Sequence, residues 1–281
     1  MPYAQSAGAR LYYEETGQGA PIVFVHEYAA DHREWELQLR YFSRDYRCIA
    51  YAARGYPPSD VPEGPTLYGQ DHSADDIAAV MDHLGLRRAH VVGLSMGAFA
   101  ALRFGLRHPQ RASALVLAGV GSGSDLAALE AWRRQQAEKA EQLLAQGWEA
   151  MAEEVGHSPT RIQLKHKNPR AWEEFMAHLR GHSARGSALT ARWYQGARDP
   201  VYHWEAPLRG MKVPTLIAVG DEDAPCVEPS VFLKRTLPNA GLWVCPHTGH
   251  AINLEEPDTF NREVAAFLGA VDRGRWGAGA R

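Results

Sequence analysis

Apolar and polar positions follow two rhythms along this 281-residue chain. Short, nearly solid apolar runs recur: "PIVFVH" (21–26), "YRCIAYAA" (46–53), "AHVVGL" (89–94), "ASALVLAGV" (112–120), "VPTLIAVG" (213–220) and "GLWVC" (241–245). Runs of this length, rich in β-branched residues, predict strands buried on both faces. "RLYYEETG" (10–17) predicts a further strand closed by a Gly turn. The segments between show a helical period instead. Trp35, Leu39 and Phe42 share one face, as do Ile77, Val80, Met81 and Leu84, with Gly85 just past the end. "MGAFAALRFGLRHP" is a helix stopped by Pro109, and helices are expected near "SVFLKRTL" and over "PDTFNREVAAFLGAV". Strand and helix in alternation predict an α/β fold, a mostly parallel sheet with helices on both faces.

The alternation stops between Ser122 and Met211. That stretch holds helical patterns and turns but no convincing strand. "DLAALEAWRRQQAEKAEQLLAQ" is its clearest helix and "PRAWEEFMAHLR" another. The chain is therefore expected to comprise a core, residues 1–121 and 212–281, interrupted by an all-helical insertion, residues 122–211. The insertion carries five of the eight tryptophans: Trp132, Trp148, Trp172, Trp193 and Trp204. They either pack the insertion's own core or line an apolar pocket against the sheet.

A charged content of 22% and a net charge of -3 suit a soluble globular protein and offer no electrostatic case for nucleic acid or an anionic membrane. No stretch approaches about 18 uninterrupted apolar residues, as a membrane span requires. Cys48, Cys226 and Cys245 lie far apart without a CxxC pair, which predicts buried free thiols in a reducing compartment. The N-terminus lacks a basic start followed by an apolar run, so cytoplasm is the expected location. The Gly- and Arg-rich tail "GAVDRGRWGAGAR" is expected to fray.

"VVGLSMGAF" carries the chemistry. Gly93-Leu94-Ser95-Met96-Gly97 fits G-x-S-x-G between a predicted strand and a predicted helix. Small residues two before and two after the serine let strand and helix backbones approach, and the tight turn lifts the hydroxyl above the sheet. The helix start beside it offers a dipole end and the Met96 N–H to a developing oxyanion. A serine hydroxyl also needs an imidazole to take its proton and a carboxylate to orient that imidazole.

On these residues the chain resembles the α/β-hydrolase superfamily, in its serine-nucleophile branch with a helical cap. The likeness covers nearly the whole length. It implies an eight-stranded, mostly parallel sheet flanked by helices, with residues 122–211 as the cap. It also implies the order Ser, acid, His. His250, in "TGHAINLEEP", matches the catalytic histidine, and His247 is left a structural or pocket-lining role. The acid is expected in "DEDAPC", where the second aspartate of the run, Asp223, matches; Asp221 would bond the loop or face solvent. The three adjacent acids lack supporting ligands elsewhere and make no case for a metal.

The superfamily's oxyanion turn usually reads His-Gly-x. Here it reads His26-Glu27-Tyr28, so Tyr28 would supply the second oxyanion N–H and His26 would fix the loop, while Glu27 stands in the glycine position. "HEYAADH" is not a zinc motif, since its second histidine is six residues from the first. An ionised Glu27 aimed at the oxyanion would repel it by roughly 4 kcal/mol at 4 Å and an effective dielectric of 20, about three powers of ten in rate. Glu27 must therefore turn away, be protonated or be paired. Arg54, in the neighbouring "ARGYPPSD" loop, is the expected partner, and direct contact with a polar substrate group is the alternative. In that loop Ala52 replaces the usual aspartate and Tyr56 a small residue. Tyr56 and Tyr28 would either narrow the entrance or pack.

The resemblance implies hydrolysis of a small-to-medium, partly apolar carboxylic ester or lactone through an acyl-enzyme on Ser95, with a small-molecule substrate and no cofactor. The nucleophile is Ser rather than Asp, which argues against dehalogenase and epoxide-hydrolase chemistry. The alternatives are a C–C hydrolase of ring-fission diketones, which shares the triad, and a non-turnover small-molecule receptor of the same fold. The oligomeric state is left open.

Overall fold

The computed structural model describes residues 2–277. Eight strands form one sheet: β1 (Tyr3–Ser6), β2 (Ala9–Thr16), β3 (Ala20–Val25), β4 (Tyr46–Tyr51), β5 (Ala89–Leu94), β6 (Ala112–Ala118), β7 (Thr215–Gly220) and β8 (Ala240–Cys245). Their order is β1-β2-β4-β3-β5-β6-β7-β8. The β1–β2 and β2–β4 pairs are antiparallel, and every pair from β4 to β8 is parallel. The solid apolar runs are the central strands: every residue of β5 and of β7 is buried. The short strand β1 has no apolar run of its own; its four residues pair back on β2 across a turn at Gly8, where φ is 78°.

Helices α1 (Glu36–Phe42) and α11 (Pro257–Asp272) cover one face, with Trp35, Phe42 and Phe260 packed on Phe24 and Val92. Helices α2 (Gln70–His83), α3 (Met96–Arg107), α8 (Glu205–Gly210) and α9 (Ala224–Thr236) cover the other. Short α10 (Ile252–Glu255) precedes α11. The tail does not fray where expected. The last helix runs through Asp272, and Trp276 lies against Phe267 with ring centroids 4.6 Å apart. The remainder of the tail, from residue 278, lies outside the described residues.

Between β6 and β7 the described chain is helical throughout, apart from connecting turns: α4 (Leu129–Gly156), α5 (Ile162–Lys167), α6 (Pro169–Arg180) and α7 (Ala184–Thr190), the last continuing into a π-helical turn over Ala191–Gln195. The chain breaks helical geometry at Gly147 (φ 72°, ψ 177°), and α4 resumes beyond it. On α6, Trp172, Phe175, Met176 and Leu179 form the apolar stripe, and Asn168 caps the helix by accepting the Ala171 N–H at 3.1 Å. The insertion's core continues onto Tyr28, Ala30, Tyr56 and Met96 of the sheet domain. It thus sits over the carboxyl ends of the parallel strands, where open α/β sheets place their ligands.

The expected Glu27–Arg54 contact does not form. Arg54 is instead buried against Asp76 on α2, with Nε to Oδ2 at 2.8 Å and Nη2 to Oδ1 at 2.5 Å, and Ser6 of β1 donates to the same carboxylate. The wide fork of Arg54 is satisfied here and by the Leu67 carbonyl at 2.6 Å, so nothing draws it toward Glu27. This cluster pins β1, α2 and the 54–67 loop together. Removing one partner of a buried ion pair strands the other charge, at a cost of roughly 3–5 kcal/mol. Asp76→Asn is accordingly expected to lower the thermal melting temperature markedly; an unchanged melting curve would show that the pair does not hold these elements.

Candidate active site

At the β5–α3 junction Ser95 adopts φ 52° and ψ −110°, a conformation that side chains other than Gly rarely take. The neighbours explain how it is held. A Cβ on Gly93 would lie 2.2 Å from the Gly97 carbonyl oxygen, and one on Gly97 would lie 2.0 Å from that of Val25. Only glycine permits this approach of α3 to β3 and β5. The Ser95 N–H is tied to the Ala118 carbonyl at 2.8 Å. At the first turn of α3 the Met96 N–H has no helical carbonyl to reach. Among the described residues neither it nor the Tyr28 N–H finds an acceptor.

His250 and Asp223 lie on the loops after β8 and β7. The Asp223 Oδ2 accepts from His250 Nδ1 at 2.7 Å, which leaves Nε2 as the free ring nitrogen. Burial disfavours the imidazolium, but the adjacent Asp223 carboxylate outweighs it and holds the His250 pKa well above the ordinary histidine value. The backbone N–H of His250 donates to the Thr160 carbonyl of the insertion at 2.6 Å. His247 is an exposed turn residue at φ 53°. The three adjacent acids diverge: Asp221 accepts the Thr248 N–H at 3.2 Å, Glu222 meets Gln163, and Asp223 meets His250. Cys226 lies beside Asp223 and His250, its thiol donating to the Gly119 carbonyl at 3.3 Å.

His26 holds its loop as a rigid bracket. Its Nε2 accepts the Ala53 N–H at 2.9 Å, so Nδ1 carries the proton and donates to the Glu27 carbonyl at 2.7 Å. Burial lowers its pKa to about 4, so the ring stays neutral. Tyr56 is a packing residue. It is buried edge-on to His26 and donates to the Tyr28 carbonyl at 2.8 Å.

Glu27 is 1% exposed and forms a two-pronged ion pair with Arg161, which lies just before α5 of the insertion. Burial opposes its ionisation, but the guanidinium outweighs burial and keeps it a carboxylate. Its Oε2 lies 3.7 Å from His250 Nε2. Behind it, Glu34 accepts the Glu27 N–H at 2.9 Å. Burial and the Glu27 charge push the Glu34 pKa well above its ordinary value. The surroundings thus push the pKa values of two neighbouring acids in opposite directions.

Ser95, His250, Tyr28, Glu27 and Arg161 line one cavity of about 130 Å³. The structure thus brings Ser95, His250 with its partner Asp223, Tyr28 and Glu27 together; Arg54 stays away. Other lining residues include Ser122, Trp132, Gln136, Lys139, Gln195 and Arg198, none of which lies in a recognisable motif. Of the five insertion tryptophans only Trp132 is in this wall. Trp148 and Trp172 pack the insertion's core, Trp204 packs the sheet's, and Trp193 is partly exposed. The apolar, Trp-lined pocket is therefore not what forms.

A family model described as the alpha/beta hydrolase fold matches residues 20–257. A non-heme haloperoxidase of Rhodococcus erythropolis is 29% identical over 95% of this chain and 99% of its own. The 3-oxoadipate enol-lactonase 1 of Acinetobacter baylyi is 26% identical over 90% of this chain and 91% of its own. A thermophilic esterase from Thermogutta terrifontis, solved with malate bound, superposes with a TM-score of 0.87 at 25% identity, covering 96% of this chain and 98% of that one.

The Glu27–Arg161 pair ties the loop after β3 to the insertion. Glu27→Gln strands a buried guanidinium and is expected to cost roughly 3–5 kcal/mol of stability. Pairing it with Arg161→Met should recover most of that loss, because both charges then leave together. Thermal melting of the two single variants and the double checks this; losses that simply add would show that the two residues do not act as a pair.

Proposed function

This chain belongs to the alpha/beta hydrolase fold family and is an enzyme of that family, and from that premise we propose that it cleaves a carboxylic ester or lactone through an acyl-enzyme on Ser95. The observation that carries the reading is the strained Ser95 at the head of α3, in one cavity with a His250 whose Nδ1 is engaged by Asp223. In this reading His250 Nε2 takes the hydroxyl proton as Ser95 Oγ attacks the carbonyl carbon. The Tyr28 and Met96 N–H groups hold the resulting oxyanion. Collapse breaks the carbonyl-carbon-to-oxygen bond, and His250 gives its proton to the departing alcohol oxygen. In a lactone that oxygen stays on the acyl chain. Water then attacks the acyl-enzyme, losing a proton to His250, which returns it to Ser95 as the acid leaves.

Glu27 does not poison this site because its charge is matched by Arg161. At 3.7 Å from Nε2, the carboxylate faces the imidazolium that forms during the reaction, while the guanidinium beyond it limits the repulsion of the oxyanion. The Glu27–Arg161 pair thereby occupies the space that a glycine would leave open. The names of the relatives, a lactonase and an esterase, support the ester-or-lactone assignment.

Ser95→Ala is expected to lower hydrolysis of short p-nitrophenyl esters and of small lactones by about three orders of magnitude or more, with the fold unchanged by circular dichroism. Retained turnover would overturn the assignment. The pH profile has a definite sign. The base is neutral His250, and Asp223 raises its pKa, so kcat/KM should fall as pH drops through that raised value. Asp223→Asn should move this acid limb to lower pH while reducing the plateau rate.

A further inference from the structure

Arg198 stands out among the buried charges. It is 4% exposed and lines the same cavity as Ser95 and His250. Its Nη2 donates to the Ser122 carbonyl, but Nε and Nη1 are buried with no acceptor. No carboxylate among the described residues offsets it, and burial alone lowers its pKa to about 10, so it remains cationic at neutral pH. The guanidinium is held in place over Phe99, with Cζ 3.9 Å from the ring centroid, and lies 5.6 Å from that of Trp132. Gln195 and Lys139 line the same cavity. Glu27 is already matched by Arg161.

Folded proteins rarely bury a guanidinium with free donors unless something else completes it. Here what is missing is an anion, and the planar fork suits a carboxylate. The cavity's roughly 130 Å³ is close to the size that holds one benzene-sized molecule. Arg198 and Ser95 line this same cavity, so a carboxylate on Arg198 and a carbonyl over Ser95 fit as two parts of one small molecule.

We infer that the substrate is a short ester or lactone bearing a free carboxylate, and that Arg198 is the residue that selects it. This inference rests on the serine-hydrolase reading above and sharpens its substrate class. A carboxylate bound by Arg198 would fix which carbonyl lies beneath the Tyr28 and Met96 donors. An uncharged ester of the same shape would leave the buried guanidinium unpaired, and sites built around a buried polar group discriminate strongly against ligands that fail to satisfy it.

The test compares monomethyl succinate with its uncharged isostere, methyl 4-methylpentanoate, by methanol release, and measures succinate binding to Ser95→Ala by calorimetry. The wild type is expected to favour the charged ester by about 100-fold in kcat/KM. Arg198→Gln should collapse that ratio toward one, Arg198→Lys should retain part of it, and succinate binding should be lost in Ser95→Ala/Arg198→Gln. Circular dichroism of each variant checks the fold. Turnover of both esters at a ratio near one, unchanged by Arg198→Gln, would overturn the carboxylate subsite and leave the hydrolase reading standing. Succinate binding that depends on Arg198, without turnover of either ester, would support the subsite and overturn the hydrolase reading. Neither binding nor turnover would overturn both.

Discussion

Helix α3 can meet the sheet as closely as it does only because two of its contacts lack a side chain. A methyl group on Gly97 would overlap the Val25 carbonyl at 2.0 Å, and one on Gly93 would overlap the Gly97 carbonyl at 2.2 Å. This approach forces the residue between strand and helix into the left-handed region, and the surrounding parallel strands hold it there. Everything at the site is referred to that turn. It aims the Ser95 hydroxyl away from the sheet and exposes the first N–H of the helix. It also brings the end of β3, and with it Tyr28, alongside.

Around that rigid centre the insertion supplies the charges. Arg161 reaches down to Glu27, Arg198 enters the cavity, and the Thr160 carbonyl accepts from the His250 backbone. Each contact crosses from the helical segment to the sheet domain. The insertion therefore completes the cavity rather than merely covering it. Its electrostatics are split. Glu27 and Arg161 cancel, and Arg198 keeps an unbalanced charge. In a low-dielectric cavity, arrangements of this kind govern which ligand is tolerated more than apolar area does.

The departure from glycine at position 27 also acquires a physical account. In the proposed mechanism a lone carboxylate beside the oxyanion would oppose the chemistry. A carboxylate locked to a guanidinium presents little net charge beyond the pair, and it adds a strut between loop and insertion. Its cost is the desolvation of two charges, offset by the two-pronged geometry.

Local pattern determined most of the fold. The solid apolar runs became the parallel strands, the periodic segments became the helices, and Gly93, Ser95 and Gly97 announced the turn, because strand burial, helix period and close backbone approach all leave marks on adjacent residues. Strand β1 escaped, since four residues paired at a sheet edge need no apolar run. Pairings across long sequence separations were not legible. Nothing near Glu27 indicates that its partner is Arg161 rather than Arg54, and nothing in "QGARDP" indicates that Arg198 enters the cavity. The tryptophans of the insertion gave no sign that Trp132 alone would line it. An arginine's reach leaves no local period, and which buried carboxylate it meets depends on how the insertion docks on the sheet. That docking is decided by tertiary packing, and with it the charge of the cavity.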